Sequence, residues 1–277
     1  LNILRIASFS ENGAGGNPAG VLIADVLPEA AEMQRIAAEV GFSETAFACP
    51  EGQGWRVRYF SPQSEVPFCG HATIALGAAF ALQEGDGIFA LALNEANITV
   101  EGHRKGDVLT AALQSPPTRS KAPTPELVSE VLALFGYSTD DLDPAIPAAL
   151  IHGGADHFML ALKSRDALAA MAYDLDAGRT LMVREGLVTI LLAYAETRQL
   201  FHTRNAFASG GVYEDPATGA STAAFAGYLR DIAWPHGGSI EVIQGEDMGM
   251  RSRLHADIPT AVGSSIRVSG EARLMDF

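Results

Sequence analysis

Three short stretches carry the residue types that proton transfer needs. "EVPFCGHAT" places a thiol, a glycine and an imidazole, Cys69, Gly70 and His71, at the mouth of an apolar run. In "GFSETAF", Glu44 stands between a helix-like and a strand-like segment with Phe42 and Phe47 close by. An apolar setting lifts a carboxyl pKa and suits the group to exchange protons near neutrality. "EDPATGAS" makes a second polar turn, with Asp215, Thr218 and Gly219 ahead of a second apolar run. Each has a plainer reading taken alone: a turn glutamate at the surface, a satisfied core histidine, a helix cap at Asp215.

The runs behind the two turns explain how such groups would be held. The segment from Gly70 to Gln83 is rich in alanine and has almost no polar face, and the segment from Thr218 to Arg230 reads the same way. Helices apolar all round are surrounded by protein. Each would aim its first-turn N–H groups and the positive end of its dipole at whatever lies ahead of it, an anion site without lysine. If two lobes face each other, Gly70 and His71 converge with Asp215, Thr218 and Gly219 around a small acid. Element order supports two lobes. "PEAAEMQRIAAEVG" predicts an amphipathic helix between the strands "NPAGVLIA" and "SETAFAC", and "WRVRYF" alternates with period two. After "SPPTRSKAPTP", whose proline content predicts an interdomain linker, come a helix over 125–135, the strands "HFMLALK", "LVTILLAYA" and "FHTRNAF", and the second polar turn. The expected lobes are residues 1–116, with a strand in 264–277 returning to them, and 117–263.

Bulk properties narrow the function. The chain has 277 residues, 48% of them hydrophobic, and its 33 acidic against 19 basic residues give a net charge of -14. That charge repels nucleic acid and anionic membranes. Two cysteines, Cys49 and Cys69, lack metal-finger or CxxC spacing, so neither a disulfide framework nor a structural metal is expected, and a reducing cytoplasm is. His152 and His157 have no third ligand in view, and no HExxH occurs. "GAGGNPAG" lacks the Lys-Ser/Thr of a phosphate loop, and there is no GxSxG elbow. No apolar run reaches the ~20 residues of a membrane-spanning helix.

Taken in order, "GNPAGV", "SETAF", "RYFSPQSEVPFCGHAT", "EDPATGAS" and "QGEDMG" resemble the signature segments of the phenazine-biosynthesis-like (PhzF) family, which shares the diaminopimelate epimerase fold. The resemblance runs from about Asn17 to Gly249. It implies an α+β fold of two similar lobes related by a pseudo-two-fold, each a mostly antiparallel barrel-like sheet around a central buried helix, with the active site between them. It further implies a homodimer, a small carboxylic acid as substrate, and no metal or organic cofactor. Carried over residue by residue, Glu44 matches the catalytic glutamate, His71 the histidine that holds substrate, with Gly70 supplying backbone donors. Asp215 matches the acidic residue of the DPxTG turn, and Thr218 and Gly219 complete that turn. Where phenazine enzymes often read TGS this chain reads TGAS, with Ala220 at the serine position and Ser221 one step on. Arg251 in "MGMRS" also departs from the family pattern, arginine then proline.

Three functions follow. An isomerase would use Glu44 to remove a proton from a carbon beside an unsaturated or carbonyl-bearing system and return it at another carbon. An amino-acid racemase or epimerase of the same fold would need bases on two faces. Cys69 supplies one, "DPATG" has no second thiol, and an exposed Asp215 is a poor pKa match for it. A binding protein for small carboxylates would leave Glu44 without a task.

Overall fold

The computed structural model describes residues 2–275. The expected first lobe begins at residue 1 and its returning strand ends at 277, and residues 1, 276 and 277 lie outside the described residues. Ser115–Arg267 forms one compact unit and the chain on either side of it forms another. The fold is α+β, with six α-helices among the described residues.

The first unit holds β1 (Leu4–Ser10), β2 (Asn17–Ile23), α1 (Ala30–Val40), β3 (Thr45–Glu51), β4 (Gly54–Phe60), β5 (Glu65–Val66), α2 (Gly70–Gln83), β6 (Gly87–Ala92), β7 (Asn97–Lys105) and β8 (Val108–Gln114). A final strand, β17 (Arg267–Leu274), pairs with β1 and β8. The ladder β1–β2–β3–β4–β6–β7–β8–β17 therefore returns to β1 and closes a barrel, which leaves these eight strands no open edge. Two of its pairings, β2–β3 and β4–β6, are parallel, and a parallel pair needs a crossover. The crossover between β4 and β6 contains α2, which packs on β1, β2, β3, β7 and β8. That placement is why its sequence is apolar all round: every residue from Gly70 to Ala81 is buried. Small residues let it fit. A Cβ on Gly102 of β7 would lie 2.1 Å from the Gly77 carbonyl oxygen of α2, so glycine is required where helix and strand cross. Phe80 anchors the lower turns between Trp55 and Phe89, with ring centroids 4.4 and 4.7 Å away. Losing such a buried ring costs about 3–5 kcal/mol.

The second unit holds β9 (Arg119–Lys121), α3 (Pro125–Phe135), β10 (Ala149–His152), β11 (Asp156–Leu162), α4 (Arg165–Ala169), α5 (Leu175–Glu185), β12 (Thr189–Ala195), β13 (Leu200–Phe207), β14 (Val212–Asp215), α6 (Gly219–Asp231), β15 (Ser239–Gln244) and β16 (Ser252–Asp257). From β10 its ladder runs antiparallel, parallel, antiparallel, parallel, antiparallel through β11, β12, β13, β15 and β16. The same succession links β1, β2, β3, β4, β6 and β7. Here α6 lies in the crossover of the parallel pair β13–β15 and packs on β9, β10, β11, β15 and β16. Among the described residues, no helix is long and apolar enough to cross a membrane.

The units divide between Gln114 and Ser115, where the expected lobes divide between 116 and 117. The proline-rich stretch read as a linker is part of the second unit: Arg119–Lys121 pairs with β10, Ser115 and Thr118 are buried, and Thr118 Oγ1 donates to the Ser264 carbonyl at 3.0 Å. Proline-punctuated strands of three residues are shorter than sequence periodicity can register. Helices α4 and α5 were likewise not foreseen.

Candidate active site

Glu44 follows the left-handed Gly41 that ends α1 and leads into β3. Its carbonyl accepts the Gly20 N–H at 3.2 Å, and Gly20 is opposite Thr45 in the parallel pair. A Cβ at Gly20 would stand 2.7 Å from Thr45 Oγ1 and 3.1 Å from Val40, so the glycine of "GNPAGV" allows the approach that seats Glu44. The side chain is buried. Its Oε2 lies 3.3 Å from His71 Nε2, a distance at which charge is felt, yet it has no hydrogen-bond partner. Burial drives the Glu44 pKa up, and hydrogen bonds from Ser43 and Cys69 pull back only part of that rise.

His71 is held in the first turn of α2. Ser8 Oγ donates to its carbonyl at 2.7 Å, and its Nε2 is 3.3 Å from Ser43 Oγ. Cys69 Sγ is 3.3 Å from Nδ1. Cys69 is the helix N-cap in extended conformation, and its side chain caps no backbone N–H. Thr73 does the fixing instead: its Oγ1 donates to the Cys69 carbonyl at 2.7 Å, so the Tyr59 hydroxyl, 2.7 Å away, must be the donor in that pair. Burial pushes the Tyr59 pKa far above its usual value, which keeps it a donor. A thiol, an imidazole and a carboxyl thus meet at one helix mouth. The sequence points to Glu44, Gly70 and His71 as site residues and offers Cys69 as a base only in the racemase reading. The thiol is in contact with both other groups.

In the second unit, β14 delivers Asp215 to the turn before α6. The expectation that Asp215 is exposed is overturned: it is buried, because the turn closes on itself. Thr218 Oγ1 donates to Asp215 Oδ2 at 2.5 Å. Gln244 clamps both ends, its Nε2 donating to the Asp215 carbonyl at 2.7 Å and to Thr218 Oγ1 at 3.0 Å, its Oε1 accepting the Thr218 N–H at 3.1 Å. Gly245 has φ 73°, and a Cβ there would come within 2.7 Å of the Pro216 carbonyl. These are the structural roles of "QG" in "QGEDMG", which sequence reading quoted without assigning. Gly219 and Ala220 open α6, and no side chain of its N-cap Thr218 bonds to their N–H groups. Ser221 is fully buried and donates to Asn205 Oδ1 at 2.9 Å. Asn205 Oδ1 also accepts from Thr189 at 3.0 Å, which in turn accepts from His157 Nδ1 at 2.8 Å. Ser221 therefore ties the helix to β13 and is not the hydroxyl that Ala220 lacks. Arg251 pairs with Glu246.

With this geometry in view, the chain can be compared with known proteins. A family model described as phenazine biosynthesis-like protein matches residues 6–276. A trans-2,3-dihydro-3-hydroxyanthranilate isomerase of Pseudomonas fluorescens is 31% identical over 261 residues, covering 92% of this chain and 89% of its own. A PhzF-family protein of Bacillus anthracis has a similar structure, with a TM-score of 0.83 at 22% identity over 99% of this chain and 96% of its own. A probable proline racemase of Agrobacterium radiobacter shares the fold at 11% identity, with a TM-score of 0.66 over 99% and 92%.

Proposed function

The chain belongs to the phenazine biosynthesis-like family and is an isomerase acting on a small molecule, and from that premise we propose that Glu44 is its proton carrier and a small, cyclic or aromatic-precursor carboxylic acid its substrate. The observation that carries this is the Glu44 carboxyl itself: buried, its pKa raised, and its Oε2 left without a hydrogen bond 3.3 Å from an imidazole. A base in that state is ready to accept a proton in a dry pocket.

As carboxylate, Glu44 takes a proton from the carbon beside the unsaturated system, leaving the electron pair delocalised as a dienolate. As carboxylic acid, it returns that proton at another carbon, and the double bond moves. Atoms and electrons balance without an oxidant or reductant. His71 and the first-turn N–H groups of α2, beginning at Gly70, hold the substrate and stabilise the developing negative charge. Asp215 joins Glu44 and His71 in the proposed catalytic set, and Thr218, Gly219, Ala220 and Ser221 are assigned to substrate holding, Thr218 through the turn it forms with Asp215 and Ser221 by fixing the helix. With no hydroxyl at Ala220, an anion there would meet main-chain donors. A homodimeric, cytoplasmic enzyme with two lobes related by a pseudo-two-fold is part of the same reading, and sedimentation tests the dimer.

The racemase reading gains one observation, the contact of Cys69 with His71 and Glu44. Yet the thiol and the carboxyl flank one imidazole within one unit, and racemisation needs bases on opposite faces. The deciding experiment follows deuterium from solvent into carbon-bound positions of trans-2,3-dihydro-3-hydroxyanthranilate and a set of related cyclic acids. Glu44→Gln stops uptake while Cys69→Ala retains most of it. Uptake that survives Glu44→Gln removes the base assignment, and uptake abolished by Cys69→Ala favours the racemase.

A further inference from the structure

The same helix mouth gathers three different ligand types. The relevant atoms of Glu44, Cys69 and His71 all lie within 4.8 Å of one another, and all three residues are buried. Cys69 Sγ is 3.9 Å from His71 Nε2, which is 3.3 Å from Glu44 Oε2. Zinc bonds of about 2.3 Å to sulfur and about 2.0–2.2 Å to nitrogen and oxygen, set tetrahedrally, put neighbouring ligand atoms about 3.3–3.6 Å apart. The cluster is within side-chain rotation of that spacing. A second feature points the same way: Glu44 Oε2 is buried and aimed at the imidazole with no hydrogen-bond donor, an oxygen whose burial is uncompensated.

We propose that Glu44 Oε2, Cys69 Sγ and one ring nitrogen of His71 form a binding site for a zinc-like divalent cation, with the fourth position open. Three protein ligands and an open position are the pattern of accessible zinc sites. The donor set selects the class of cation, since a thiol and an imidazole disfavour magnesium and calcium and suit zinc, cobalt and their neighbours. On binding, the Cys69 S–H bond breaks, its proton goes to solvent and a sulfur–metal bond forms, with no change of oxidation state. Sequence spacing concealed the site because Glu44 comes from the segment before β3 and the other two ligands from the mouth of α2. The binding stands apart from the isomerase reading. One consequence rests on that reading: a cation on Glu44 occupies the lone pair the base needs, so zinc inhibits proton transfer reversibly.

The test titrates Co²⁺ into the chelator-treated, reduced, full-length protein and follows absorption. The expected result is one equivalent bound, with a thiolate-to-cobalt charge-transfer band that Zn²⁺ abolishes. Cys49→Ala keeps the band and Cys69→Ala loses it. Glu44→Gln and His71→Asn weaken binding by at least the roughly 10–100-fold that loss of a mere outer-shell partner costs. In the unsubstituted protein, Zn²⁺ also protects Cys69 from alkylation, which guards against a variant that fails to fold. Binding without a thiolate band, a band that survives Cys69→Ala, or undiminished alkylation under saturating Zn²⁺ overturns the site. Because absorption needs no turnover, a cobalt site found alongside deuterium exchange that survives Glu44→Gln upholds the metal site and removes only the base.

Discussion

Neither N-cap, Cys69 of α2 or Thr218 of α6, bonds a first-turn N–H through its side chain, but at the mouth of α2 the Glu44 carboxyl is buried with one oxygen unpartnered. At the mouth of α6, the acid is buried too, but Thr218 donates to Asp215 and Gln244 bonds both ends of the turn. Two turns at equivalent places in ladders of the same pairing order have taken opposite routes: one keeps a carboxyl poised, the other makes it part of a rigid cradle. Burial alone does not make an acid reactive. Burial lifts the Glu44 pKa even against hydrogen bonds from Ser43 and Cys69, while the Thr218 hydroxyl anchors the Asp215 carboxyl in its turn.

The largest effect expected from breaking this contrast is on rate. Glu44→Gln should lower proton exchange by about 10²–10⁴-fold, the range that a positioned acid–base group contributes. The same change should stabilise the protein. A carboxyl with a raised folded pKa binds protons more readily folded than unfolded, so its ionisation erodes stability as pH rises from the ordinary glutamate value through the folded one. Glutamine removes that cost, and Tm at neutral pH should rise by about 2–4 °C per kcal/mol relieved. Asp215→Asn, in the satisfied turn, should lower Tm instead; calorimetry on both variants checks the pair of signs.

Next in size, Gly102→Ala should cost about 1–3 kcal/mol or more, since its methyl meets the backbone of α2. Gly227→Ala in α6 meets mainly the Thr118 side chain, 2.5 Å away at Oγ1, and should cost less; chemical denaturation compares them. Gln244→Leu strands the Asp215 carbonyl and Thr218 N–H, a loss of about 1–3 kcal/mol for each group left buried and unpaired. Its kinetic signature should be a raised KM with kcat less affected. A separate effect falls on the acid limb of stability. His157, fully buried, has its pKa pushed down to about 3, so between the unfolded value near 6.5 and about 3 the unfolded chain binds the extra proton. Stability should therefore fall as pH drops through that window, and His157→Asn should flatten the slope.

Much of this was legible in the chain. The all-apolar character of Gly70–Gln83 and Thr218–Arg230 marks helices enclosed on every side, and α2 and α6 lie within a residue of those bounds. Glu44 and His71 stand out by type and by family resemblance, and the structure brings their side chains to 3.3 Å. Contacts between distant segments were not. Nothing in the spacing of Cys69 and Glu44 announces that they touch, and Gln244 sits at the end of an ordinary alternating strand. Asp215 reads as an exposed turn residue because its burial depends on Thr218 and Gln244 folding over it. The linker reading missed a strand for the same reason: Ser115–Pro125 has the composition of a connector, and only pairing with β10 makes Arg119–Lys121 within it a strand.

The most direct test of the central claim is the titration of the Glu44 side-chain carboxyl, followed by its carbon-13 shift and set against the acid limb of the deuterium-exchange rate. The account predicts that Glu44 titrates well above the ordinary glutamate range and that the rate rises with pH along the same curve. A Glu44 carboxyl that ionises at the ordinary value, or a rate that does not follow its ionisation, would contradict it.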